Sequence, residues 1–330
     1  WDTNGVNAYL VPDAGDTRGI VVNTGSTNRR QTWRFPSRSE CMTCHTAAGG
    51  RILGFTTPQL NRDYGYGSVT TNQIAALSSA GFLDNPPPYV GSLHALAPLD
   101  DNSTSLGYRA RSYLAANCSQ CHQPGANVAA RWDGRITTPV SQASLILGDL
   151  INAGNTGDKV ITPGLTNKTA ILKRMMDSGT NRMPPLGTTI ADRKAIQVIS
   201  DWVTKDLASY KTYDGWAGQY FTGTIPSGDA DADNDGVANY AEYLLNTNPK
   251  QTNAPLASIT RTNGQITLTF KHPANRGVLF DWASDVPPRF WLPLTNSQNT
   301  LIFPAETANR TITDVLNGQR RYYRVRVIEP

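Results

Sequence analysis

The sequence predicts a multidomain chain: a mainly α front part in two units, a short acidic linker, and a C-terminal all-β sandwich. Three observations predict it. Apolar residues recur at helical spacing before residue 212, most clearly from Asp192 to Leu207. An acidic run, Asp229 to Glu242, interrupts that pattern. Beyond residue 254 the spacing becomes alternating, as in Gln265-Ile266-Thr267-Leu268-Thr269-Phe270. The expected units are 1–100, 101–212, 213–253 and 254–330.

Composition narrows the class. The chain has 330 residues, enough for two or three domains of about 100–200 residues each. Charged residues make up 17 % and apolar residues 39 %. This excludes a highly charged disordered chain and a coiled coil. No apolar run approaches the roughly 18 residues that would cross a bilayer as a helix. No basic n-region with an apolar h-region opens the sequence, and Trp1 reads as the start of a processed chain or of a piece of a longer one. The net charge is +4, with the densest basic stretch at Arg320, Arg321, Arg324 and Arg326. That is no nucleic-acid footprint, and no nucleic-acid partner is expected.

All four cysteines fall in two copies of one motif: Cys41-Met42-Thr43-Cys44-His45 and Cys118-Ser119-Gln120-Cys121-His122. Cys-x-x-Cys-His is the attachment motif of c-type haem. Two thiols add to the two vinyl groups of one porphyrin, and the next residue reaches the iron. A zinc site could use Cys-x-x-Cys twice, but both copies carry His next, and a long stretch separates them. A thioredoxin-like pair lacks its βαβ context. Disulfides between i and i+3 would close loops too small to be useful staples. Two covalent haems c are expected, with Cys41, Cys44, Cys118 and Cys121 attaching them and His45 and His122 as proximal ligands. Attachment outside the cytoplasm implies a periplasmic, cell-surface or secreted bacterial protein.

The second unit resembles a class I cytochrome c domain. A helical run, Tyr108 to Asn117, leads into the second motif. The resemblance implies a distal ligand on a downstream loop. Asn181-Arg182-Met183-Pro184-Pro185-Leu186-Gly187 supplies Met183, with prolines that keep the loop extended. A helix over Asp192 to Leu207, with Ala195, Ile196, Ile199, Trp202 and Val203 on one face, is expected to pack on the leading helix. Met175 and Met176 read as core filling.

In the first unit a helix is expected over Thr71 to Gly81, with Ile74, Leu77 and Ala80 inward and Gly81 stopping it. Pro86-Pro87-Pro88 marks a turn. No Met lies between Cys44 and the second motif, and Met42 cannot swing to the distal face. Of the four His, His94 is the nearby candidate for a bis-His first haem. A five-coordinate iron, or one held by Tyr, Asn, Lys or water, stays open. His272 is expected at the surface.

The acidic run fits Asp-x-Asp-x-Asp-Gly-x5-Glu without a gap, the pattern of a calcium loop. Asp231, Asp233 and Asp235 take positions 1, 3 and 5, and Gly236 makes the turn. The Val237 carbonyl, Asn239 and Glu242 take positions 7, 9 and 12. One Ca2+ is therefore expected. Carboxylates this close repel without a cation. An exit helix is expected over Val237 to Leu245. The loop resembles the single calcium loops of dockerin and thrombospondin type 3 repeats, which implies a structural staple rather than a sensor.

In the last unit, strands are expected at 265–270, 277–282, 300–303, 310–313 and 322–327, forming a small sandwich for anchoring or docking.

Trp33 to Asn61, Arg109 to Pro124 and Arg182 to Gly187 resemble the dihaem c-type cytochrome region found alone or fused to PQQ-dependent sugar dehydrogenase-like propellers. Trp1 to Ala8 resembles the lead-in to that region. The resemblance implies a carrier of electrons from an extracytoplasmic dehydrogenase, a PQQ-type enzyme among the candidates, to a downstream acceptor. It carries no dehydrogenase site and leaves the first distal ligand open. A dihaem peroxidase or oxygenase is the rival reading, with Glu40, Asp63 or His94 as its acid or base. An assembly module with relay haems is the third. An enzyme is the less expected outcome.

Overall fold

The computed structural model describes residues 4–128, 131–151, 155–316 and 320–330. Helices occupy the middle of the chain, and small antiparallel sheets occupy its C-terminal part. Trp1 to Thr3 of the lead-in lie outside the described residues, and Asn4 to Ala8 form neither helix nor strand.

The first unit corrects the expectation of a mainly α front. It opens on a hairpin of β1 (Asp16–Asn23) and β2 (Asn28–Phe35), with Asp16 opposite Phe35. The β-branched run Ile20-Val21-Val22 suits a strand. Two short helices follow, α1 (Arg38–Cys41) and α2 (Thr57–Leu60). A second hairpin pairs β3 (Asp63–Tyr66) with β4 (Val69–Asn72) around Gly67-Ser68. Gly67 has φ +70°, a conformation that such a two-residue turn demands. The helix expected over 71–81 is α3 (Gln73–Ser79). Its start is set by Asn72, whose side chain accepts from the Ile74 amide. Gly81, at φ +77°, ends it, and the Phe82 amide donates back to the Leu77 carbonyl.

The middle unit packs three helices around one core: α4 (Leu106–Cys118), α5 (Ala170–Met176) and α6 (Arg193–Asp201). Ser105 caps α4, and Asp192 caps α6 by accepting from the Ala195 amide. The last helix is shorter than expected. From Trp202 it widens into a π-type turn over 202–206 and ends in a 3-10 turn. Ala195, Ile199, Trp202 and Val203 are buried as expected, with Leu114, Trp132, Ile161 and Leu172. Met176 is more than half exposed, which corrects its reading as core filling.

Two short helices lead to the last unit, α7 (Tyr213–Ala217) and α8 (Asn239–Leu245). The exit helix thus begins two residues later than expected.

Six strands follow: β5 (Ala257–Thr262), β6 (Gln265–His272), β7 (Gly277–Ala283), β8 (Leu292–Pro293), β9 (Ala308–Val315) and β10 (Tyr322–Ile328). They make two three-stranded antiparallel sheets, ordered β5-β6-β9 and β10-β7-β8. Asn263-Gly264, both at positive φ, join β5 to β6. Ile266, Leu268, Phe270 and Ile312 of one sheet share a core with Val278 and Phe280 of the other.

The strand expected at 300–303 does not form. The Leu301 amide donates to the Gly91 carbonyl of the first unit instead. Leu301 and Phe303 are buried with Tyr108 and Ile136 of the middle unit. His272 is wholly buried rather than at the surface. Its Nε2 bonds the Arg276 carbonyl at 2.7 Å, and its Nδ1 faces the Arg310 guanidinium at 3.2 Å. Among the described residues no helix is long and apolar enough to cross a membrane.

Candidate functional site

The two cysteine motifs fold into the same turn. In the second, the amides of Cys121 and His122 both return to the Cys118 carbonyl, at 3.1 and 2.8 Å. In the first, the amides of Cys44 and His45 return to the Cys41 carbonyl, at 3.3 and 3.1 Å. Each motif begins at the last residue of a helix, α4 or α1.

The second motif opens onto an apolar cleft. Cys118, Cys121, His122, Met183, Pro184 and Pro185 all line it, with Tyr113, Val160, Ile171 and Met175. The structure therefore brings His122 and Met183, far apart in sequence, to one cavity. The Met183 amide donates to the Arg174 carbonyl at 3.0 Å, which fixes the loop to α5. The His122 ring stacks on the buried Trp132, centroids 4.4 Å apart. Burial pushes the Cys118 thiol up to about 12. Burial, and then the neighbouring Cys44, push the Cys121 thiol up to about 11. Such thiols stay protonated and nonpolar, in keeping with an apolar site.

The first motif is more open. The His45 Nδ1 lies 2.6 Å from the Arg51 carbonyl oxygen. A carbonyl only accepts, so Nδ1 carries the proton and Nε2 keeps its lone pair for a metal. The carbonyl is brought there by Gly50 and Arg51, both at positive φ. Just beyond, Ile52 and Phe55 are 87 % and 81 % exposed. Such bare apolar side chains beside an attachment motif fit the face of a large apolar group.

His94 packs against the other units instead. Its ring lies near-parallel to those of Tyr108 and Phe303, with centroids 6.1 and 5.9 Å away, and those two rings stack on each other at 4.1 Å. Its Nδ1 lies 3.2 Å from the Tyr108 hydroxyl, which itself donates to the Ala95 carbonyl. Burial pushes His94 down to about 4. Glu40 is engaged as a cap: it accepts from the Ser37 amide and pairs with Arg34 at 2.7 Å. Arg34 holds its carboxyl down to about 2, so it stays ionised and is a poor proton donor. Asp63 is exposed at the start of β3.

The acidic loop gathers as its spacing predicts. Carboxylate oxygens of Asp231, Asp233 and Asp235 lie within 4.8 Å of one another. Among the described residues this is the one His/Cys/Asp/Glu grouping with metal-holding geometry, so the four cysteines do not converge as a zinc site would need. Asp233 Oδ2, Asn239 Oδ1 and Glu242 Oε2 are buried and unpartnered. Asn239 and Glu242 are wholly buried. These three acceptors belong to positions 3, 9 and 12 of the loop, which fits a cation. Other contacts only position the ligands. Gly236 donates to Asp231 at 2.8 Å, the Val237 amide to Asp235 at 2.8 Å, and Asn253 Nδ2 to Glu242 Oε1 at 2.7 Å. Burial, with Asp233, Asp235 and Asp231 close by, raises the Glu242 carboxyl. Backbone amides of Asn253 and Val237 lower that of Asp235.

The spacing of the motifs gave no sign of Trp132 behind His122, or of the Arg51 carbonyl on His45. It also gave no sign that Thr43, from the first motif, lines the cleft of the second. No protein-family model, curated protein or solved structure matches the chain.

Proposed function

We infer that the chain is a dihaem c-type cytochrome that carries electrons between an extracytoplasmic dehydrogenase and a downstream acceptor. The observation that carries this reading is an apolar cleft lined together by Cys118, Cys121, His122 and Met183. Cys118 and Cys121 would attach one haem, with His122 and Met183 on its iron. Cys41, Cys44 and His45 would hold the other. When bound, each haem supplies a one-electron couple, and a thioether opposite His raises the potential. The chain's own part is to exclude water with apolar walls, to orient His122 against Trp132 and to fix the tautomer of His45.

In this reading 101–212 is a cytochrome c-like domain, 254–330 a β-sandwich used for docking, and the Asp231 to Glu242 loop a Ca2+ staple between them. The location is periplasmic, cell-surface or secreted, because that is where haem c is attached.

The hold of Tyr108 and Phe303 on His94 favours a first haem that His94 does not ligate. Intact mass and pyridine haemochrome assays of protein matured with haem test the main reading, with two covalent haems expected. Carbon monoxide should then bind one haem per chain in the reduced protein. No carbon monoxide binding would instead favour His94, or another side chain, on the first iron. A mass without haem would remove the electron-carrier reading.

A further inference from the structure

The two attachment motifs touch. The Cys121 thiol lies 3.6 Å from the carbonyl oxygen of Thr43, the residue before Cys44. Gly49, just past the first motif, comes so close that a Cβ there would sit 3.0 Å from the Gln120 carbonyl and 3.1 Å from the Cys44 carbonyl. Gly49 is thus required by close approach, a use of glycine independent of φ. A Cβ on Gly125, three residues past the second motif, would meet that of Ala48 at 4.0 Å. Thr43 itself lines the cleft shared by His122 and Met183. These approaches, from within and just after both motifs, describe one seam.

We propose that this seam, with Thr43, Cys44 and Gly49 against Gln120 and Cys121, is an electron bridge between the two haems. The proposal rests on the dihaem reading. Cys44 and Cys121 would each carry a thioether to the rim of its own porphyrin. The seam would therefore bring the residues that hold the one haem against those that hold the other. The step moves one electron and nothing else: one iron goes from ferrous to ferric as the other goes from ferric to ferrous. No proton or co-reactant is involved. Thioether ligation by Met183 would raise the potential of the second haem and so favour it as the acceptor.

Holoprotein shown by mass to carry both haems is titrated potentiometrically and followed by EPR. The expected result is that the ferric signal of one haem changes line shape as its neighbour becomes diamagnetic. Gly49→Val, which drives a side chain into the Gln120 and Cys44 carbonyls, should abolish that change while both haems stay attached. Ferric signals that add independently at every potential in the wild-type protein would overturn the bridge and leave the dihaem reading standing. A mass without haem would overturn both. If Gly49→Val does not fold, the wild-type titration decides alone.

Discussion

Met183 is held by its backbone, whatever its sulfur does: its amide donates to Arg174, and the residue lines the cleft that His122 also lines. On the dihaem reading, Met183→Ala should therefore keep two covalent haems and a folded chain. It should lose the far-red band of His/Met ligation and lower one midpoint potential. An unchanged spectrum would remove Met183 as a ligand. His272 shows a different single-residue effect. It is buried beside the Arg310 guanidinium, and burial, then Arg310, disfavour its charged form. Its folded pKa is lowered, so at acid pH the unfolded chain binds the extra proton. The stability from keeping it neutral is present above the ordinary histidine value of about 6.5 and is lost as the pH falls below it. The melting temperature should drop over that range, and less steeply in His272→Gln. Parallel pH profiles would show that His272 plays no part.

At the scale of elements, the acidic loop and α8 act as one unit. Glu242, on the helix, stands at position 12 of a loop that begins at Asp231, so a cation held there would tie loop to helix. Calcium should raise the melting temperature, by about 2.7 kcal/mol of stability at a hundredfold excess over its Kd. A chelator should reverse this, and Glu242→Gln should remove most of the calcium dependence. Equal melting with calcium and with chelator would leave the loop as an acidic turn. The gathering of its carboxylates was legible in the sequence because Asp231, Asp233 and Asp235 alternate along one short segment. The front hairpins were not. Arg29, Arg30 and Arg34 hide the alternation in β2, and only the opposite strand, with Asp16 facing Phe35, makes those residues a ladder.

At the scale of the whole molecule, the units are joined by contacts that no local pattern encodes. Arg111, on α4, is wholly buried and reaches the carbonyls of Arg135, Thr138 and Pro330. Glu329 accepts from the Ser141 amide at 2.8 Å and also bonds the Tyr240 hydroxyl. Arg111→Ala would leave three carbonyls without this donor and open a cavity, at a cost of about 3 kcal/mol or more. Chemical denaturation should show that loss. A change below about 0.5 kcal/mol would mean water replaces the guanidinium. The same logic explains the limits of the sequence. The two Cys-x-x-Cys-His motifs could be read residue by residue, and so could the expectation that Met183 shares a site with the second of them, which the cleft bears out only as shared lining. The burial of His272, the seat of Leu301 against Gly91 and the meeting of the two motifs depend on pairs far apart in the chain, and such pairs leave no spacing to read.

On the dihaem reading, the approach of Cys121 to Thr43, next to Cys44, also implies an order in time. In the oxidising compartment that reading implies, uncapped thiols brought this near would be open to cross-linking, and one such disulfide would disable both motifs at once. Maturation would then run ahead of collapse. At least one motif would be loaded while residues 38–53 and the turn after α4 are still apart, and their docking would close a finished product.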